Sequence, residues 1–258
     1  MKPLSRYGAW ALVAGASEGI GAAFATALST AGFNVVLVAR RSEPLADLAA
    51  TLPTETRTVI ADLATSDGVS QVFAATAGLE IGLVVANAAW APVGSFLDVD
   101  EDSLRRVIDL NCTATMRLAR HYLPPMVDRG RGGFVIMSSM AGQQGSPGIT
   151  TYAASKAFGA VLAEGLWAEM RPRGVDVIAC APGAVATPGL ARSKSKRAPG
   201  TVAPDAVAAA ALSALGAGPR VVPGGLMKFS SAMTQRLLPR RAAIALIAMA
   251  SGDLRPQP

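Results

Sequence analysis

Gly15-Ala16-Ser17-Glu18-Gly19-Ile20-Gly21 follows the apolar run Ala9–Ala14 and leads directly into the helix-forming stretch Ala22–Ala31. Glycines at this spacing let a backbone turn tightly and approach a pyrophosphate closely. The helix start then offers unpaired N–H groups and a positive dipole end to the anion. A strand before the turn and a helix after it separate this segment from a bare spacing match.

Working outward, further apolar runs recur at Asn34–Ala39, Thr58–Ala61, Leu83–Ala86, Phe134–Ser138, Val175–Ala181 and Arg220–Pro223. With Ala9–Ala14 they read as seven parallel strands, because β-branched, near-continuous hydrophobicity is what a sheet covered on both faces requires. The segments between them are long enough to be crossover helices, which predicts an α/β, doubly wound sheet with helices on both faces. The clearest helix spans about Thr151 to Arg171, with Thr150 or Thr151 as its cap and Pro172 and Gly174 at its end. A chain of 258 residues, 51% hydrophobic and 16% charged, can bury the core of one such domain, 1–258. The Pro/Ser/basic-rich interval Pro188–Pro204 reads as a lid loop over the sheet's ligand edge, and about 226–251 as a basic, hydrophobic C-terminal segment.

Several function classes are excluded at this level. Met1–Trp10 has no signal-peptide core, and no segment reaches the roughly 18 apolar residues of a membrane span, so a soluble cytoplasmic protein is expected. Cys112 and Cys180 read as buried reduced thiols, and His121 as a structural histidine. No ligand cluster calls for a metal. The net charge of +6 is C-terminal: residues 192–258 hold 10 Lys/Arg against 2 Asp/Glu. No nucleic-acid-binding pattern accompanies that excess, so acidic lipid or an acidic substrate handle fits it better.

About 19 residues past Gly21 the second strand ends at Ala39-Arg40-Arg41, where an NAD site would place a carboxylate for the ribose 2′-hydroxyl. Ala39 leaves room instead, and Arg40, with Arg41 beside it, offers a charged donor fork suited to a 2′-phosphate, so NADP(H) is expected in preference to NAD(H). Asp62-Leu63, ending the third strand, falls beside the adenine.

Ser139 closes the fifth strand, and 13 positions later comes Tyr152, followed by Lys156. The ordered set Gly15/Gly19/Gly21, Asn87-Ala88-Ala89, Asn111, Ser139, Tyr152/Lys156 and Pro182-Gly183 resembles the short-chain dehydrogenase/reductase family along nearly the whole chain. The resemblance implies a Rossmann-type enzyme that reduces carbonyls or oxidises secondary alcohols, usually as a homodimer or homotetramer. It also implies that Lys156 holds the nicotinamide ribose hydroxyls. The Asn111 backbone carbonyl would place a water between Lys156 and solvent, and Pro182, Gly183, Val185 and Thr187 would hold the carboxamide and phosphate. With Gly15, Ser17, Gly19, Ile20, Gly21, Arg40, Arg41, Asp62, Leu63, Asn87 and Ala88, these residues make the expected cofactor set. Ala14 stands where the family has threonine, and Ala86-Asn87-Ala88-Ala89 where it has Asn-Asn-Ala-Gly, which predicts a weaker hold on the cofactor.

The chemistry also follows from position. Residues four apart on a helix share a face, so Tyr152 and Lys156 meet. A phenol with a pKa of about 10 is a poor acid-base group near neutrality, but a neighbouring ammonium and its own helix's positive end predict a downward shift toward working pH. Tyr152 is then the proton donor to a carbonyl oxygen, and Ser139 a hydrogen-bond donor that stabilises the same oxygen.

The substrate side is expected to be walled by Trp90, Phe96, Met140, Gln143, Gln144, Ile149, Leu190 and Met227, which predicts a small hydrophobic ketone or alcohol of lipid, steroid or polyketide type. Three alternatives stay open. The run Arg192-Ser193-Lys194-Ser195-Lys196-Arg197 could receive an acyl carrier, making a 3-ketoacyl thioester reductase. The C-terminal segment resembles the basic tail of lipid-directed members, which leaves peripheral membrane contact open. A non-catalytic dinucleotide sensor is the third, although Tyr152 and Lys156 are both retained. A sugar-nucleotide epimerase would need a substrate domain for which the chain has no room.

Overall fold

The computed structural model describes residues 4–189, 200–236 and 238–250. Seven strands form one parallel sheet: β1 (Trp10–Ala14), β2 (Asn34–Ala39), β3 (Thr56–Ile60), β4 (Ile81–Ala86), β5 (Gly132–Met137), β6 (Val175–Cys180) and β7 (Arg220–Val221). Their spatial order is β3-β2-β1-β4-β5-β6-β7, so the winding reverses between β1 and β4. Ligands of such sheets bind outside the strands' carboxyl ends at that reversal. The glycine turn leaves β1 there, and Asn87 leaves β4 beside it.

Alternation within each strand divides the core into two layers. Trp10, Leu12 and Ala14 of β1 face one cluster, and Ala11 and Val13 face the other. The first cluster is completed by α3 (Ser66–Ala75), α5 (Ala114–Asp128) and α6 (Thr150–Met170) through Val72, Leu118, Tyr122 and Ala163. The second is completed by α1 (Gly19–Thr30), α2 (Ser42–Thr51) and α7 (Pro204–Ala214) through Phe24, Leu28, Leu45 and Ala211. Each large side chain buried in this way stabilises the sheet by roughly 1.5–3 kcal/mol. The expected doubly wound sheet with helices on both faces is therefore the observed one.

The differences from the sequence reading are local. β3 and β4 each begin two residues earlier than their apolar runs, because parallel ladder bonds extend past the hydrophobic stretch. β7 keeps two residues only. Neither Thr150 nor Thr151 caps α6: both lie in its first turn, and the cap position is Ile149, without a side-chain bond. Its far end comes where expected, with a 3-10 turn at Arg171–Arg173 and Gly174 in the left-handed region. His121 is a packing group, stacked on Phe73 with ring centroids 3.8 Å apart. Cys112 and Cys180 are both buried. α4 (Glu101–Ile108) runs into α5 through a π-helical turn, Asp109–Thr113, which holds Asn111 and Cys112.

The C-terminal part continues as α8 (Gly225–Arg236) and α9 (Arg240–Ala250). No helix among the described residues is long and apolar enough to cross a membrane.

Candidate active site

Ser139, Tyr152 and Lys156 are brought together because β5 and α6 are stitched at this edge. Ser138 Oγ donates to the Lys156 carbonyl at 2.8 Å, and Lys156 Nζ donates to the Met137 carbonyl at 2.7 Å. Ser139 opens a short 3-10 turn, Met140–Gln143, and its Oγ accepts from Ala141 N at 3.1 Å. That turn lies flat on α6 only because Gly142 has no side chain: a Cβ there would stand 2.6 Å from the Ala157 nitrogen.

The electrostatics depart from the sequence expectation. Burial raises the Tyr152 pKa, and the hydrogen bond from Ser139 only opposes that rise. The spacing argument predicted a fall, and its error is specific. The Lys156 ammonium is 5.5 Å from the Tyr152 ring centroid and is directed to the Met137 carbonyl. Desolvation of the phenolate therefore outweighs the attraction. Lys156, 6% exposed, is itself pulled down by burial to about 8, with Cys112 opposing. The resting phenol is thus neutral, the form that can donate a proton.

The Asn111 side chain has a part of its own beside the one expected of its carbonyl. Its side chain clamps the strand exit after β4: Oδ1 accepts from Trp90 N at 2.9 Å, and Nδ2 donates to Trp90 O at 3.0 Å and to Ser155 Oγ at 2.9 Å. Its backbone carbonyl accepts from Thr115 Oγ1 at 2.9 Å. One amide therefore locks the β4 exit, the π-helical turn and α6 together, a role that a sequence motif does not disclose. π-helical turns are frequent at functional sites, and this one carries the locking residue at its centre.

Two clefts, of about 340 and 430 Å³, share Ile20, Asn87, Ala89, Thr187 and Gly189 and so form one trough along the sheet edge. The first is lined by Gly15, Ser17, Glu18, Gly19, Arg40, Arg41, Asp62, Leu63 and Ala88. The second is lined by Ser139, Tyr152, Lys156, Pro182, Gly183 and Val185. The expected cofactor residues thus line the trough, except Gly21. Gly21 shapes the turn from behind, where a Cβ would fall 1.9 Å from the Gly15 carbonyl oxygen. A Cβ on Gly15 would lie 2.8 Å from Ala88 Cα, so the turn is a cradle that side chains would fill. Asn87 Nδ2 donates to the Gly15 carbonyl at 2.9 Å and braces it. The trough's length, its glycine cradle and the adjacent helix start fit a dinucleotide.

Two members of the set carry partners that the sequence did not disclose. Asp62 Oδ2 accepts from Arg106 at 2.6 Å, and Oδ1 accepts from Ala64 N at 3.0 Å. Burial alone would raise the Asp62 pKa, but these bonds and the charges of Arg106 and Arg40 together lower it. Its carboxylate thus anchors Arg106 while still lining the trough. Arg41 is ion-paired with Glu18 at 2.7 Å.

On the substrate side the expectation holds in part. Trp90 and Ile149 line the catalytic cleft. Met140 and Met227 crowd Gly183, where a Cβ would lie 3.3 Å from Met140 Sδ and 2.7 Å from Met227 Sδ. Gln143 does not line the cleft: its Nε2 donates to Ser231 Oγ at 2.7 Å, and its carbonyl accepts from Arg240 at 2.9 Å, tying the turn to α8 and α9. Gln144 is buried, and Phe96 belongs to a neighbouring crevice with 53% of its surface exposed. Leu190 and the run Arg192–Arg197 of the expected lid lie outside the described residues.

The model of the short chain dehydrogenase family matches residues 9–198. The chain is 35% identical over 189 residues to the 7beta-hydroxysteroid dehydrogenase of Collinsella aerofaciens, covering 72% of each protein. A solved structure from work on 7beta-hydroxysteroid dehydrogenase stereoselectivity superposes with a TM-score of 0.89 at 29% identity, over 96% of this chain and 99% of that one. A short-chain dehydrogenase from Sphingobium yanoikuyae in complex with NADPH superposes with a TM-score of 0.76 at 29% identity, over 94% of both.

Proposed function

Because the chain belongs to the short-chain dehydrogenase/reductase family of oxidoreductases, we propose that it interconverts a hydrophobic, steroid- or lipid-like ketone and its secondary alcohol. NADP(H) would serve in preference to NAD(H), and Tyr152 would exchange the proton with the substrate oxygen. The observation that carries this reading is the group of half-buried Ser139 and Tyr152 with buried Lys156 at the end of a trough that begins in a glycine cradle. When bound, a nicotinamide dinucleotide supplies or takes the hydride. The chain's own residues do the rest. The neutral Tyr152 phenol, directed into the cleft, gives its proton to the carbonyl oxygen as negative charge develops there. The Ser139 hydroxyl donates a second hydrogen bond to that oxygen. Lys156 keeps a cation beside the phenol and lowers the cost of the phenolate left behind.

Three observations support the substrate and cofactor assignments. Trp90, Ile149 and Val93 give the catalytic cleft apolar walls. The relatives above include 7beta-hydroxysteroid dehydrogenases. No carboxylate follows Ala39, and Arg40 lines the trough at its glycine-cradle end. We place the enzyme in the cytoplasm as a homodimer or homotetramer. The exposed apolar residues Met116 and Val161, on the outer faces of α5 and α6, support that assembly, which sedimentation velocity at several concentrations tests.

The decisive experiment is a panel of hydroxysteroids, bulky aliphatic ketones and 3-oxoacyl thioesters, each run with NADPH and NADH. Turnover of free ketones with a lower KM for NADPH is expected. Turnover confined to thioesters would transfer the proposal to acyl-carrier substrates. No turnover despite cofactor binding would leave a dinucleotide sensor.

A further inference from the structure

Glu18 is placed oddly for a residue in a phosphate turn. It occupies the N-cap position of α1, yet its side chain makes no cap bond. Instead its carboxylate reaches across the trough to the exit of β2, where Oε2 accepts from Arg41 Nη2 at 2.7 Å. Glu18, Arg40 and Arg41 all line the same end of the trough. The two side chains of the pair are 29% and 53% exposed, so the bridge is a surface one, and an anion of higher charge can break it. The pair thus spans from the residue that introduces Gly19 to the residue that follows Arg40, with a negative charge set among the cations expected to receive a 2′-phosphate.

We propose that Glu18 is a specificity-setting residue: its carboxylate competes with the cofactor's 2′-phosphate for Arg41 and narrows the preference for NADP(H) over NAD(H). The inference rests on the NADP(H) reading above and concerns one charge within that site. A phosphate monoester near neutrality carries up to two negative charges and forms strong, often bidentate bonds to guanidinium. To take the Nη2 donor of Arg41 it must displace Glu18, and at any donor of that guanidinium it lies close to a carboxylate of like sign. A neutral ribose diol meets no such opposition, and the same carboxylate can accept its hydroxyl hydrogens. Arg40 therefore supplies the discrimination that remains while Glu18 is present.

The test is calorimetric titration of the full chain with adenosine 2′,5′-bisphosphate and with 5′-AMP, which differ only at the 2′ position. In Glu18→Gln the bisphosphate should bind about three- to tenfold more tightly, and 5′-AMP within about twofold of wild type. Preserved 5′-AMP binding also reports that the variant is folded. Should Glu18→Gln fail to fold, Glu18→Thr removes the same charge with a residue favoured at a helix N-cap. In an Arg41→Gln background the gain from Glu18→Gln should be smaller, because the competition for Arg41 is gone and only the like-charge repulsion remains. An unchanged or weakened bisphosphate affinity in Glu18→Gln overturns the proposal, as does a gain of equal size with and without Arg41. The cofactor reading is judged separately, by whether the wild type prefers the bisphosphate at all. Equal wild-type binding of the two nucleotides, with a preference created by Glu18→Gln, would remove that reading and keep this one.

Discussion

Replacing Tyr152 with Phe is expected to lower kcat for ketone reduction by about a hundred- to ten-thousandfold while leaving cofactor binding within about twofold. The variant removes one oxygen from a ring that already packs in the cleft, so the fold is preserved and the loss belongs to proton transfer. Stopped-flow reduction with NADPH separates the two effects, and a loss of less than tenfold would remove Tyr152 from its assigned role. The wild-type pH dependence follows from the same environment. Burial raises the Tyr152 pKa, so the donor phenol is present throughout the neutral range. Ketone reduction should therefore be flat there. Above about 8, where Lys156 releases its proton, the cation that steadies the developing phenolate is lost and reduction should decline. Alcohol oxidation needs the phenolate and should rise with pH over the neutral range.

Lys156→Met is expected to abolish turnover, by at least about a thousandfold, without unfolding the protein. Burial lowers the Lys156 pKa from 10.5 to about 8, a penalty on the buried ammonium of about 3 kcal/mol. The ammonium keeps a charged hydrogen bond to the Met137 carbonyl at 2.7 Å. That penalty is what remains with the bond in place, so an apolar side chain of similar length should leave stability unchanged or raise it modestly. The sign of the pH effect is fixed by linkage. Between about 8 and 10.5 the unfolded chain holds the Lys156 proton that the folded chain has released, so the contribution of Lys156 to stability rises through that window, against the fall that the buried Cys112 and Cys180 thiols impose there. In Lys156→Met that rise should vanish. Urea unfolding of both proteins at pH 7 and pH 9.5 measures both statements, and a wild type that gains no stability relative to Lys156→Met across the window would contradict the assignment.

Much of the site was legible in the chain because its demands are local. The glycine turn needs backbone that can approach an anion, and only glycine at positions 15 and 21 leaves room for Ala88 and for the Gly15 carbonyl. Tyr152 and Lys156 share a helix face by period alone. The strand edges were less legible, as at β3, where ladder pairing with β2 begins at Thr56, before the apolar run. The partners of Arg41, Asp62, Gln143 and Asn111 were not legible, because each comes from a distant stretch: Glu18, Arg106, Ser231 and Ser155. No periodicity in a sequence encodes which of several charged or amide groups will meet across a cleft.

The amino-acid sequence by itself determined the parallel α/β architecture, the glycine turn of the trough and the meeting of Tyr152 with Lys156 on one helix face. Those depend on short-range rules: hydrophobic period, glycine geometry and helical spacing. Tertiary structure alone decided how those groups are tuned. Packing desolvates Tyr152 and buries Lys156, reversing the expected direction of the tyrosine shift, and sets the Glu18 carboxylate against Arg41. Desolvation and charge pairing are set by everything that surrounds a group, and most of those surroundings lie far from it along the chain.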